Sequence, residues 1–136
     1  MKSIYQNILT AKKANKKLLA VLIDPEKFEV KNTASLFEKV HQSIATHIFV
    51  GGSTDKNNLT DKVVLSIKKV TKLPVILFPG DVSQISQNAD GILFLSLLSG
   101  RNPEYLIEQQ IKAAPFLINS NLEILPTGYI LIDGKK

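Results

Sequence analysis

Short apolar runs alternate with stretches of helical period along almost the whole chain. Residues 18–23 (LLAVLI), 48–50 (IFV), 75–78 (VILF) and 92–95 (ILFL) are unbroken apolar segments rich in β-branched and aromatic side chains. Such runs are the mark of strands covered on both faces, as in a parallel sheet. A fifth run at 129–132 (YILI) closes the series. Between the strands, Leu36, Phe37, Val40 and Ile44 mark one face of a helix, and Leu59, Val63, Ile67 and Val70 one face of another. Ahead of the first strand, Ile4, Ile8, Leu9 and Ala14 predict an amphipathic helix whose wet face carries Lys12, Lys13, Lys16 and Lys17. Asp81 with Gln84 has the spacing of a capping box opening a very short helix. Asn102 followed by Pro103 predicts the cap and first residue of another, carrying Ile107, Ile111 and Ala114. No linker or low-complexity stretch interrupts the rhythm, so residues 1–136 are expected to form one unit.

Repeated β-α units joined by right-handed crossovers leave two architectures, an open doubly wound sheet or a (β/α) barrel. A complete eight-unit barrel takes about 250 residues, whereas this chain has 136. Pattern and length alone therefore lean towards an open five-stranded sheet.

With 44% hydrophobic and 21% charged residues the chain can bury a core, which excludes disordered and collagen-like classes. It has no cysteine, so disulfides, zinc-thiolate sites, iron–sulfur clusters and thiol nucleophiles are excluded, and a cytoplasmic location is expected. The polar N-terminal segment does not resemble a signal peptide, and no stretch reaches the length of a membrane span, so neither export nor membrane insertion is expected. A net charge of +5, from 17 Lys and Arg against 12 Asp and Glu, raises the question of nucleic acid. Arg101 is the single arginine, however, and the lysines are not interleaved with aromatics as on a stacking platform. The lysines are expected to be solvated helix faces, with attraction of phosphates or anionic lipid as their remaining role, and no nucleic-acid partner is expected.

In either architecture, chemistry gathers where strands end. Asp24 directly follows the first apolar run, and Pro25 stops it, so a carboxylate projects from the sheet edge. It can hold an oxygen-loving cation such as Mg²⁺, or cap a turn. After the second run, Gly51 and Gly52 would let backbone amides approach a phosphate, and the Ser53 hydroxyl would supply a second metal ligand. Phe78, Pro79, Phe94, Leu95, Leu97, Leu98 and Tyr129 gather near the ends of strands three to five, as core or as a groove for a lipid-like chain. No GxxxxGK[ST], GxGxxG or GxSxG motif occurs, and His41 and His47 lack metal-ligand spacing.

Taken together, LIDPEK at 22–27, FVGGST at 49–54, PVILFPG at 74–80, DGILFLSLLSGRNP at 90–103 and EILPTGYILIDG at 123–134 resemble geranylgeranylglyceryl phosphate synthase and its bacterial heptaprenylglyceryl relatives. The matches run in family order across nearly the whole chain. The resemblance implies a TIM barrel, truncated here to roughly its first four and a half β-α units, and so overrides the open sheet. It also implies a Mg²⁺-dependent prenyltransferase of ether-lipid biosynthesis, moving a geranylgeranyl or similar group from prenyl diphosphate to the 3-hydroxyl of sn-glycerol 1-phosphate. The family's magnesium positions fall on Asp24 and Ser53, and its prenyl groove on Phe78, Pro79, Phe94 and Tyr129. Some branches carry a glycerol-phosphate lysine two residues before the aspartate; here that position is Leu22.

The family continues through three more units that hold the glycerol phosphate, together with a tyrosine and a glutamate near the reacting hydroxyl, so no general base is named here. The DGKK ending at 133–136 leads to the expectation of a fragment, a frameshifted product or a half that pairs with another chain. The longer parent is expected to be a homo-oligomer with at most transient membrane-surface contact. The alternatives are a non-catalytic half-barrel remnant binding Mg²⁺ or phosphate, and an independent flavodoxin-like phosphate binder.

Overall fold

The structure, a computed structural model, describes residues 3–132; the DGKK ending lies outside the described residues. Five parallel strands, β1 (Ala20–Ile23), β2 (His47–Val50), β3 (Val75–Leu77), β4 (Gly91–Leu97) and β5 (Glu123–Tyr129), lie side by side in the order β1-β2-β3-β4-β5. Leu22 stands beside Phe49, Phe49 beside Ile76, Leu77 beside Ile92 and Leu93 beside Leu125. A doubly wound sheet reverses its order at a switch point, and this sheet never does. Winding always in one direction, with right-handed crossovers, puts every crossover helix on the same side, as in a barrel wall. The open five-stranded sheet favoured by length is thereby corrected.

Side chains alternate across the wall. Ile23, Ile48, Val50, Val75, Leu77 and Ile92 pack against α2 (Thr33–His41), α3 (Thr60–Lys68) and α4 (Gln109–Leu117), through Phe37, Val40, Val63, Val64, Ile67, Ala113 and Leu117. The other face presents Phe49, Ile76, Leu93 and Leu125 to Ile4 and Ile8 of α1 (Ile4–Lys13). Strand residues that meet the crossover helices are closed off, with Ile48, Val50, Val75 and Leu77 at 0% exposure. Leu22, on the α1 side, is 57% exposed, so that face is covered only where α1 reaches.

Glu123, the first residue of β5, fixes the reach of α1. Its carboxylate accepts hydrogen bonds from the Ser3 hydroxyl, from the Ile4 amide at 2.6 Å and from the Tyr5 amide at 2.9 Å. An anion is thus set on the helix N-terminus, where unpaired amides and the helix dipole both favour it. Burial pushes the Glu123 carboxyl up, but the Ser3 hydroxyl and the Tyr5 and Ile4 amides together outweigh it, and its pKa lies below the usual value.

Three expectations shift. The apolar run 129–132 meets β5 only at Tyr129, because the strand lies earlier, in a stretch disguised by Pro126 and Gly128. Both residues weaken a strand, yet seven cross-strand pairs carry it along β4 from Gly91–Glu123 to Leu97–Tyr129. Ile44 falls beyond α2 and is 80% exposed. In the fourth helical segment the Asn102 side chain caps as expected, accepting from the Glu104 amide at 3.0 Å, and a π-helical turn at Glu104–Glu108 leads into α4. The residues facing the sheet are Ala113 and Leu117, while Ile107 and Ile111 face outward. This segment is apolar on both faces, and on the inward one the Gln110 amide donates to the Leu95 carbonyl.

Glu123→Ala is expected to cost about 2 kcal/mol at neutral pH, the scale of charge-assisted hydrogen bonds lost at a helix cap. Because the folded pKa is depressed, this contribution is present above the ordinary glutamate range and is lost as pH falls through the folded value. Urea unfolding from neutral to acid pH should therefore show the variant losing less stability on acidification than the parent. Parallel profiles would contradict the assignment.

Candidate functional site

The C-terminal ends of β1, β2 and β3 meet with almost no space between their backbones. A Cβ on Gly51 would fall 1.8 Å from the Phe78 carbonyl oxygen, so the chain leaving β2 lies directly on the chain leaving β3. A Cβ on Gly52 would stand 2.8 Å from Oδ1 of Asp24, so the same loop runs against the Asp24 carboxylate. Glycine is needed at both places because backbone approaches this close exclude a side chain.

Asp24 follows β1 at the start of a turn. Its carbonyl accepts from the Lys27 amide at 3.1 Å, its Oδ1 accepts from the Glu26 amide at 3.1 Å, and Lys27 Nζ stands 3.2 Å from Oδ2. The Lys27 side chain is 84% exposed, so this pair is readily exchanged for another cation. The cap-a-turn reading of Asp24 is thus part of the geometry, and lone pairs remain on the carboxylate for a metal.

The amides of Gly51 and Gly52, expected to approach a phosphate, both have partners within the protein. The Gly51 amide donates to the Ile23 carbonyl at 3.0 Å and the Gly52 amide to Oε1 of Gln84 at 3.2 Å. What these glycines supply is room, not donors. Ser53, next in the chain, is exposed at the mouth of a groove.

That groove encloses about 520 Å³, within the range of small-molecule sites, and is mostly apolar. Phe78, Pro79, Phe94 and Tyr129 all line it, as do Gly51, Gly52 and Ser53. Phe78 meets Tyr129 edge-on with ring centroids 5.7 Å apart, and Phe49 stands 6.0 Å from Phe78 on the other side. Phe94 points instead into the helix-side cluster, so the groove draws its lining from both faces of the sheet. Leu22 lines it on the α1 side.

Three polar side chains hold the loops around Ser53, and sequence reasoning assigned none of them this task. Gln84, 0% exposed, accepts from the Gly52 and Gly80 amides at 3.2 and 3.0 Å and donates to the Gly52 carbonyl at 3.0 Å. Its spacing from Asp81 suggested a capping box, but Asp81 accepts from the Ser83 amide at 2.7 Å, and the Gln84 side chain turns away to the neighbouring loop. Glu26 accepts from the Thr54 hydroxyl at 3.0 Å and the Lys56 amide at 2.8 Å. Asp55 accepts from the Leu59 amide and from the amide and hydroxyl of Thr60, capping α3. Burial pushes its carboxyl up, yet the Thr60 hydroxyl and the Leu59 and Thr60 amides outweigh this and hold it below the ordinary range.

Among the described residues no three His, Cys, Asp or Glu side chains converge as a metal cage. A carboxylate and a hydroxyl on neighbouring loops are donors of the kind Mg²⁺ accepts, since it keeps most of its octahedral shell for phosphate oxygens and water. The histidines stay structural. His41 Nε2 stands 3.1 Å from the Thr71 hydroxyl, and His47, buried at the start of β2, has its pKa lowered by burial.

The model of the PcrB family matches residues 11–136. The chain belongs to the PcrB family. Among its relatives, this PcrB-family chain is 60% identical over 134 residues to the geranylgeranylglyceryl phosphate synthase of Zunongwangia profunda, covering 98% of this chain and 57% of that protein. It is 40% identical to the synthase of the same name from Korarchaeum cryptofilum, over 90% of this chain and 50% of that one. The chain thus spans about half the length of the curated relatives it matches. In the crystal structure of (S)-3-O-geranylgeranylglyceryl phosphate synthase from Thermoplasma acidophilum in complex with sn-glycerol-1-phosphate, 54% of the chain aligns with 98% of this one. The TM-score is 0.90 at 36% identity. The PcrB-family chain is therefore an arc of five strands of a TIM-type barrel.

Gly51→Ala is expected to destabilise this arc by about 3 kcal/mol, the upper end of overpacking losses, since backbone stands where the methyl group would go. Gly52→Ala is expected to cost less, because the Asp24 side chain can turn aside. Thermal unfolding of the two variants checks the order; the reverse order would contradict the close approach at Phe78.

Proposed function

We propose that this chain supplies the metal, diphosphate and prenyl-binding part of a prenylglyceryl phosphate synthase. The observation that carries the reading is one apolar groove whose mouth is formed by Gly52 and Ser53, with the Asp24 carboxylate directly behind Gly52. A prenyl diphosphate has this division into a long apolar tail and a small, highly charged head. Phe78, Tyr129 and Phe94 would order the tail and exclude water, while the Asp24 carboxylate and the Ser53 hydroxyl would hold Mg²⁺ at the head. When bound, the metal neutralises charge developing on the diphosphate leaving group. Lys27, the cation that faces Asp24 here, would be freed to meet a phosphate oxygen.

The acceptor in this reading is sn-glycerol 1-phosphate, attacked through its 3-hydroxyl. Its support is the shared name of the relatives and the glycerol phosphate named in the Thermoplasma acidophilum complex. Leu22 offers no cation to that phosphate, so the acceptor's anion must be met by other residues. Among the described residues no helix is long and apolar enough to cross a membrane. The lack of cysteine supports a cytoplasmic setting, and self-association is expected of the longer protein. A second reading is a Mg²⁺- or phosphate-binding module without turnover, which the same groove and carboxylate would also serve.

The test is transfer from geranylgeranyl diphosphate to sn-glycerol 1-phosphate. It is run on the 136-residue chain and on the same chain joined to the C-terminal part of the Zunongwangia profunda relative. Mg²⁺-dependent transfer is expected in the joined form, falling about 100-fold or more in Asp24→Asn, the scale of removing one electrostatic stabiliser of a transition state. Undiminished transfer in Asp24→Asn would sink the metal assignment. No transfer by either form would favour the binding module.

A further inference from the structure

We infer that Gln84 and Glu26 are positioning residues for the metal–diphosphate end of the groove, a conclusion that rests on the function just proposed. Asp24 and Ser53 come from different β-α units, so their relative placement is set by whatever holds the loop after β2 against the loops on either side. Two side chains do so. From the β3 side, Gln84 grips Gly52 by both its amide and its carbonyl, and the same Oε1 also receives the Gly80 amide. From the β1 side, Glu26, two residues after Asp24, takes the Thr54 hydroxyl and the Lys56 amide, so one of its anchors is Ser53's immediate neighbour and the other lies two residues further on. Ser53 therefore sits between a fixed residue before it and a fixed residue after it.

Burial makes the Gln84 grip rigid. Its side chain is wholly enclosed, so moving the loop away would leave its own amide oxygen and nitrogen without partners where water does not reach. The grip also explains why Gly52 keeps its place against Asp24 although a free glycine loop would wander. Neither Gln84 nor Glu26 is given a contact with substrate or metal, and both act through the loop that carries Ser53. Outer partners of this kind typically set metal affinity by 10–100-fold.

The experiment measures Mn²⁺ binding by water-proton relaxation, in the presence of inorganic pyrophosphate, on the 136-residue chain and its variants. Asp24→Asn reports on the site itself. Gln84→Met removes all three hydrogen bonds at similar volume, Gln84→Glu keeps the two accepted ones, and Glu26→Gln weakens the second grip. The expectation is loss of binding in Asp24→Asn, about tenfold weaker binding in Gln84→Met and in Glu26→Gln, and partial recovery in Gln84→Glu relative to Gln84→Met. All readings are taken well below each variant's unfolding midpoint. Should Gln84→Met fail to fold, Gln84→Glu and Glu26→Gln carry the decision. Binding unchanged in every Gln84 and Glu26 variant that folds, while Asp24→Asn abolishes it, would overturn the positioning role and leave the proposed function standing. Binding unchanged in Asp24→Asn as well would remove the metal reading on which the inference rests.

Discussion

Where β2 ends, its backbone must pass over the backbone of β3 and along the carboxylate of Asp24 with no gap for a methyl group. That contact depends on Gly51 and Gly52, and the rest of the site follows from it. Because the loop cannot ride higher, Ser53 emerges at the mouth of the groove, not above it. The ring of Phe78 stands between those of Phe49 and Tyr129, tilted against the first and edge-on to the second. Close-packed backbone is also expensive to solvate. Its amides must be satisfied internally, which is the work of the Ile23 carbonyl and the Gln84 side chain.

The winding of the sheet supplies the other half of the arrangement. Strands laid down in chain order bring every C-terminal end to one edge, so residues from successive β-α units become neighbours without any long connection. The same winding separates two apolar environments. The helix-side face is sealed, while the α1-side face is open beyond the reach of Ile4 and Ile8. The groove draws its lining from both faces of the sheet and so crosses from the open environment to the sealed one.

Much of this was legible from the order of residues. Continuous apolar runs located β1 to β4 closely, and an aspartate followed by proline marked the first strand end. Three things were hidden, each for a physical reason. The fifth strand contains Pro126 and Gly128, poor strand formers tolerated because side-chain packing and the β4 ladder outweigh their local cost. The fourth helix carries apolar residues on both faces, so periodicity alone could not say which face turns inward; Ala113 and Leu117 are the ones buried. The third is Gln84, whose spacing from Asp81 suggests only a local helix cap and whose role exists only once two distant loops have come together. The barrel itself was not a product of the pattern, which leaned towards an open sheet; it entered through the resemblance and stands on the strand order.

The cap that Glu123 places on α1 links residues 120 apart in sequence. On a ribosome the helix is made well before its cap, so Ile4 and Ile8 leave the exit tunnel long before the strand face they cover is complete. The early helix must remain uncommitted, or be sheltered by a chaperone, while β1 to β4 assemble beside it. Such a distant closure slows folding, because the entropy of a long loop is lost before the contact rewards it. It also makes the docking of α1 a report that synthesis has passed the fifth strand, something no local contact in the sheet could signal.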